Sequence, residues 1–553
     1  MTATDLGRAV TIKPPPLSAR AQRPTCVRGG ELKQNCTVDG RLFSPFEHES
    51  TMAKTLSSSG HSQRASMGVA GLDDIIGGGL TPSRLYLLEG SPGTGKTTLA
   101  LQFLMEGVRL QESVLYVTLS ETAEELTAVA ATHGWSLKDI ELFELVSESG
   151  LDPDSEQSVL HPSEVELGET AREVMKKVEA LKPTRVVFDS LSEMRLLAQN
   201  PLRYRRQILA LKQFFSTQKC TVLMLDDRTS DPTDLQLHSI AHGVISLEQA
   251  PRDFGAERRR VRVVKMRGIK FRGGYHDLIL DTGGLQVFPR LIAAEHHKEF
   301  EAKPVSTGNR SFDALLGGGL IRGTNTLFSG PSGIGKTTTA ISCMVAALKR
   351  GENATYFLFD EGLGTLLARC TALGMDVWPY IDNGQLNLKT VDPAELSPGE
   401  FACAVRSAVD THKSTFLAID SLNAYLQAMP GEQFLILQMH ELLSYLNQLG
   451  ITTILILGQH GIIGDVRSDI DLSYLSDGLI SYRFFESRGE LRSAIAVVKS
   501  RAGAHERTIR EFTLGPSGLQ VGEALRDFEG LFTGLPAYSG KIPLLENPEA
   551  PGH

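Results

Sequence analysis

The sequence predicts an α/β protein of two tandem domains, each a mostly parallel sheet flanked by helices. Three features carry this expectation: a long internal repeat, short apolar runs alternating with helical patterns, and a glycine-rich turn, present twice, that joins one such run to the next helix.

In chain order, residues 1–65 hold Pro14, Pro15 and Pro16, many Ser and Thr, and nine Lys or Arg against five acids. With no periodicity, they read as a disordered basic tail. Residues 66–292 read as the first domain. LYLLE, VLYVTL, RVVFD and TVLMLD are apolar runs of strand length, as expected of buried parallel strands, and AREVMKKVEAL and RRQILALKQFF have helical spacing. Residues 293–305 read as a solvated linker, in which His296 and His297 are solvent-facing rather than metal ligands.

Residues 306–533 repeat the first domain. Gly77, Gly78, Gly79 and Leu80 map onto Gly317, Gly318, Gly319 and Leu320 at an offset of 240, as do Lys96 onto Lys336 and Glu121 onto Glu361. RVVFDSLS, VVKMRG and DTGGLQV recur in the same order as AIDSLN, VVKSRAG and GPSGLQV. Residues 534–553, rich in Gly and Pro, read as a C-terminal tail.

A chain of 553 residues with 41% hydrophobic and 22% charged residues can bury large cores. Its net charge of -9 opposes a surface built to neutralise nucleic-acid phosphates. No apolar run is long enough to span a membrane, and the N-terminus has no apolar core of a signal peptide. The cysteines, Cys26, Cys36, Cys220, Cys343, Cys370 and Cys403, form no C-x2-C pair and are too sparse for a disulfide scaffold. These features point to the cytoplasm.

Gly90, Ser91, Pro92, Gly93, Thr94, Gly95, Lys96 and Thr97, followed by Thr98, fit G-x-x-x-x-G-K-[ST]. So do Gly330, Pro331, Ser332, Gly333, Ile334, Gly335, Lys336 and Thr337, followed by Thr338. Such a loop turns its amides toward phosphate oxygens at a helix N-terminus, and the lysine reaches the β- and γ-phosphates. This implies ATP, with Mg²⁺ held by Thr97 and Asp189 in one half and by Thr337 and Asp420 in the other, because both aspartates end an apolar strand. Glu121, and the pair Asp360 and Glu361, follow the next strand, at the sheet edge where ligands bind, and are the candidate bases. Lys265 with Arg267, and Lys499 with Arg501, alternate along a strand and put two cations on one face, a source of charge for the γ-phosphate. Gln459 and His460 close a strand and are candidates to sense that phosphate, while Trp135 and Trp378 read as core or interface residues.

Taken together, the doubled phosphate loop, GGGL before each loop, the acid after the next strand and K-x-R near each domain's end resemble the KaiC family of tandem RecA-like ATPases and autokinases. The resemblance spans residues 66 to about 535. It implies a homo-hexameric double ring with ATP between subunits, Lys265, Arg267, Lys499 and Arg501 acting on the neighbour's phosphates, and phosphate transfer to hydroxyls in the second domain. The family has a Glu-Glu pair where this chain has Ser120-Glu121 and Asp360-Glu361. Its adjacent phosphorylated Ser and Thr correspond to Ser473 and Tyr474, leaving Ser473 as the phosphorylation candidate and Ser476 as a second. Two other readings are a DNA-repair or replication motor of the RadA or DnaB type, which the charge disfavours, and a non-catalytic scaffold gated by nucleotide. The expected partners are further copies of the chain and a signalling protein, with no membrane and no nucleic acid.

Overall fold

The computed structural model describes residues 64–145, 162–198, 200–227, 236–250, 255–427, 434–459, 461, 473–487, 489–515, 518–532 and 537–538. In the first half the strands are β1 (Leu85–Gly90), β2 (Val114–Thr118), β3 (Glu141–Glu144), β4 (Arg185–Asp189), β5 (Thr221–Asp226), β6 (Gly243–Ala250), β7 (Arg258–Met266), β8 (His276–Asp281) and β9 (Gly284–Phe288). They form one sheet in the order β3-β2-β4-β5-β1-β6-β7-β8-β9. The helices are α1 (Ala70–Ile75), α2 (Lys96–Arg109), α3 (Ala123–Thr132), α4 (Pro162–Leu181), α5 (Leu191–Ala198), α6 (Pro201–Thr217) and α7 (Gln236–Ile240).

The second half begins with a short antiparallel pair, β10 (Pro304–Val305) and β11 (Leu320–Ile321). Its sheet holds β12 (Asn325–Pro331), β13 (Ala354–Leu358), β14 (Leu386–Thr390), β15 (Phe416–Asp420), β16 (Thr452–Gln459), β17 (Gly478–Ser487), β18 (Glu490–Ser500), β19 (Arg510–Gly515) and β20 (Gly518–Ala524). The order, β14-β13-β15-β16-β12-β17-β18-β19-β20, repeats that of the first half. The helices are α8 (Arg310–Leu315), α9 (Lys336–Lys349), α10 (Leu363–Ala372), α11 (Trp378–Asp382), α12 (Pro398–Asp410), α13 (Leu422–Gln427) and α14 (Leu435–Gln448).

The central strands β1, β2, β4 and β5 are buried along their whole length. Alternate side chains enter different layers, as a period of two requires. Tyr86 and Leu88 pack with Leu99 and Phe103 of α2, while Leu85 and Leu87 pack with α4, α5 and α6. The second half divides in the same way, with Phe328 among the α9 residues and Leu327 among those of α12 and α14. Apolar runs thus form parallel strands because both faces are covered by helices.

The halves meet directly. The Arg258 guanidinium donates to the Leu396 carbonyl at 2.7 Å, and the Gly399 amide donates to Asp277 Oδ2 at 2.7 Å. Residues 297–303 of the connecting segment are exposed, and the segment also makes local contacts. The Ala293 amide donates to Glu441, the Lys298 amide donates to the Gln448 carbonyl, and the His296 ring packs edge-on against Tyr445. Phe300, itself exposed, lies against Gly323 and Gly450 beside the end of α14. Ala65 already pairs with Leu80, and Ala537–Tyr538 pairs with Phe528–Glu529. Apart from Arg64, the rest of both expected tails, and His460, lie outside the described residues. Among the described residues no helix is long and apolar enough to cross a membrane, and Cys220, Cys343, Cys370 and Cys403 are free.

Candidate nucleotide sites

Each glycine-rich turn leaves the end of the central strand, β1 or β12, and opens α2 or α9. Gly95 and Gly335, the residues before these helices, have φ of 98° and 103°, which a side chain rarely tolerates. A Cβ at Gly335 would also lie 2.0 Å from Leu514. Thr94 closes the first loop by donating to the Ser91 carbonyl, while Ile334 is the buried counterpart in the second. Ser91, Pro92 and Gly93 are exposed, as are Ser332 and Gly333, whereas Thr98 and Thr338 are buried.

The lysines fold back over their loops. Lys96 Nζ donates to the carbonyls of Gly90 and Ser91 and sits 2.8 Å from Asp227 Oδ1. Lys336 Nζ donates to those of Gly330 and Pro331. Burial pushes Lys336 down to about 8, against the Asp420 charge that opposes the shift.

Asp189 and Asp420 end β4 and β15, each separated from the loop strand by one intervening strand, and each is followed by a cis peptide bond. Thr337 Oγ1 donates to Asp420 Oδ2 at 2.7 Å, and Thr97 lies beside Asp189, where its hydroxyl favours the charged carboxylate. Buried phenols complete both groups: Tyr116 donates to Asp189 at 2.6 Å and Tyr356 to Asp420 at 2.9 Å. Burial holds both carboxyls above their ordinary range and both phenols well above theirs. A hydroxyl beside a carboxylate is the hard-oxygen set that suits Mg²⁺. Among the described residues no three His, Cys, Asp or Glu side chains cluster as a metal cage, so Mg²⁺ fits here only with phosphate oxygens completing its shell.

The candidate bases differ between halves. Glu121 is anchored through its backbone, its amide donating to Thr118 Oγ1 and its carbonyl accepting from that hydroxyl. Its Oε2 is buried with no hydrogen-bond partner among the described residues. Burial first, then the Asp189 charge, holds this carboxyl above its usual range. Thr122, not Glu121, caps α3, forming a capping box with Glu125. In the second half Glu361 pairs with Arg369 and Asp360 accepts from the Ser421 hydroxyl. Where Ser120 replaces Asp360, the matching Ser190 hydroxyl is buried without a partner. Gln459 ends β16 opposite Pro331, with a buried, unpartnered Oε1.

The K-x-R residues lie elsewhere. Through the register, Leu87 aligns with Val244 and Val244 with Lys265, so Lys265 and Arg267 sit toward the sheet edge opposite the first phosphate loop. Leu327, Leu479 and Lys499 repeat this, placing Arg501 beyond the strand. Lys265 Nζ donates to the His238 and Ala241 carbonyls, and Arg267 to that of Ser239. Lys499 Nζ donates to the carbonyls of Ser473 and Ser476, and Arg501 to that of Tyr474. Ser473 is half-buried, whereas Ser476 is fully buried and donates to the Ser473 carbonyl, which withdraws its hydroxyl from any phosphoryl donor. Trp135 packs on the first core, and Trp378 is exposed at the start of α11.

Sequence reasoning missed four contributors: Tyr116, Tyr356, Asp227 and Arg369. The tyrosines had a signal, since they match at the same offset of 240. Asp227 and Arg369 had none, because each belongs to one half alone.

Two phosphate loops, each beside a strand-end aspartate on a mostly parallel sheet, define a tandem P-loop ATPase of the RecA-like class. The chain belongs to the KaiC family: a family model described as "ATPase: KaiC" matches residues 65–292 and again 305–526. It is similar to the circadian clock protein KaiC3 of a Synechocystis species, 24% identical over 486 residues that cover 87% of this chain and 95% of that one. It is also similar to the circadian clock oscillator protein KaiC of Thermostichus vulcanus, 26% identical over 506 residues, with 89% and 94% covered. KaiC of Prochlorococcus marinus is 26% identical over 490 residues, with 86% and 95% covered.

Proposed function

We propose that this KaiC-family ATPase is a self-phosphorylating signalling protein that works in the cytoplasm as a ring of six copies, with domains at 66–292 and 306–533 and ATP at the seams. One observation supports this above the rest. In each half the phosphate loop, aspartate and glutamate gather at one sheet edge, while Lys265 and Arg267, or Lys499 and Arg501, lie toward the other. A rigid sheet cannot fold its own edges together, but a neighbouring copy can bring one edge to the other.

The loop amides and Lys96 or Lys336 bind the phosphates. Thr97 with Asp189, and Thr337 with Asp420, would hold Mg²⁺, which supplies positive charge for the β- and γ-phosphate oxygens. The oxygen of an attacking water bonds to the γ-phosphorus as the bond to the bridging oxygen breaks. Its proton passes to Glu121 or Glu361, and ADP and phosphate leave. The neighbour's K-x-R cations balance the charge developing on the γ-phosphate. In the second ring the attacker can instead be the Ser473 hydroxyl of an adjacent copy, since Ser473 lies beside Lys499, toward the edge away from its own loop.

Incubation with γ-labelled ATP followed by site mapping tests the reading. Label on Ser473, lost in Ser473→Ala, is expected. Label persisting unchanged in that variant removes Ser473, and full turnover by isolated single copies removes the seams.

A further inference from the structure

Helices α3 and α10 are matched copies. Leu126 and Ala130 are buried on the first, and Leu366 and Cys370 occupy the same places on the second. In this register Glu121 corresponds to Glu361 and Val129 to Arg369. Val129 is exposed and carries no charge toward Glu121, whose Oε2 stays unpartnered. Arg369 reaches back along α10 and takes Glu361 Oε1, with both side chains partly exposed.

We infer that Arg369 is a positioning residue that holds the Glu361 carboxylate in an ion pair and so makes the second site the slower hydrolase of the two. A carboxylate that already shares an oxygen with a guanidinium has one oxygen fewer to accept from and orient water. A site slow to pass its γ-phosphate to water keeps ATP intact for transfer to a hydroxyl. Glu121, with no such partner, keeps an oxygen for water. This inference rests on the reading of Glu121 and Glu361 as proton acceptors.

The test exchanges the two residues in the full chain. Second-site hydrolysis is measured in a Glu121→Gln background, and first-site hydrolysis in a Glu361→Gln background. Arg369→Met is expected to raise the second-site kcat roughly three- to tenfold with KM for ATP unchanged. Arg369→Lys, which keeps a cation in reach, restores the slow rate. Val129→Arg lowers first-site kcat by a similar factor. Both positions lie on the outer flanks of their helices, and thermal melts confirm that each variant folds. An Arg369→Met rate equal to or below wild type overturns the inference, as does a first site indifferent to Val129→Arg. The double variant Glu121→Gln with Glu361→Gln examines the underlying reading separately. Undiminished hydrolysis there removes both glutamates from the mechanism and the inference with them, whereas silence there with an unresponsive Arg369→Met removes the inference alone.

Discussion

Lys96 Nζ lies 2.8 Å from Asp227 Oδ1, an ion pair for which the second half offers only Gly458 at the matching register. The loop lysine of the first half is thus held by a carboxylate where a phosphate would otherwise lie, while Lys336 is held by carbonyls. ATP entering the first site must compete with Asp227. Asp227→Asn keeps the shape and removes the charge, so first-site affinity should rise by about 1 kcal/mol, roughly fivefold in Kd. Titration with a fluorescent ATP analogue measures it, and unchanged or weaker binding would show that Asp227 does not compete.

The phenols of Tyr116 and Tyr356 are the buried donors to Asp189 and Asp420. Phenylalanine preserves their volume and leaves a buried carboxylate short of one donor. Tyr356→Phe should cost about 1–3 kcal/mol of stability and raise the Mg²⁺ concentration needed for half-maximal activity. Thermal melts and a Mg²⁺ titration read the two effects, and a variant matching wild type in both would refute a role for the phenol.

Burial leaves Lys336 with a value of about 8. At about pH 8.5 the nucleotide-free second site therefore holds much of this lysine neutral, and anionic phosphates favour its charged form. ATP binding should take up a proton at about pH 8.5 and much less at about pH 6.5, where the lysine is already charged. Calorimetry in two buffers of different ionisation enthalpy detects the uptake, and Lys336→Met should abolish it. Equal uptake at both pH values would contradict the assignment.

The proposed ring would bring the two edges of neighbouring copies together, so its sites should be complementable. Copies carrying Lys336→Ala and copies carrying Lys499→Ala with Arg501→Ala should each be inactive in the second ring. Mixed together, they should recover a fraction of second-site turnover, because some seams pair an intact loop with intact cations. A mixture no more active than its components would place the cations outside the site.

The parts legible in the sequence are those whose physics is local. A phosphate loop is a run of adjacent residues whose glycines permit its φ angles, so Gly95, Lys96, Gly335 and Lys336 announce themselves. Asp189 and Asp420 were visible because each ends a fully apolar run, and the repeat supplied a second copy of each signal. That the Ser476 hydroxyl is buried was not legible, because only the packing shows it. The contacts that Ala293, His296 and Phe300 make on and around α14 were not legible, because the composition around them is charged.

By itself, then, the order of residues determined that there are two α/β halves, that each holds a triphosphate cradle, and which strands end in acids. Such features depend on neighbours within a turn or a strand. The tertiary structure alone decided that Asp227 meets Lys96, that Arg369 takes Glu361 while Val129 leaves Glu121 unpaired, and that the K-x-R cations face away from their own loops. Those relations depend on which strands the crossovers place side by side, and on a register that no local run of side chains encodes.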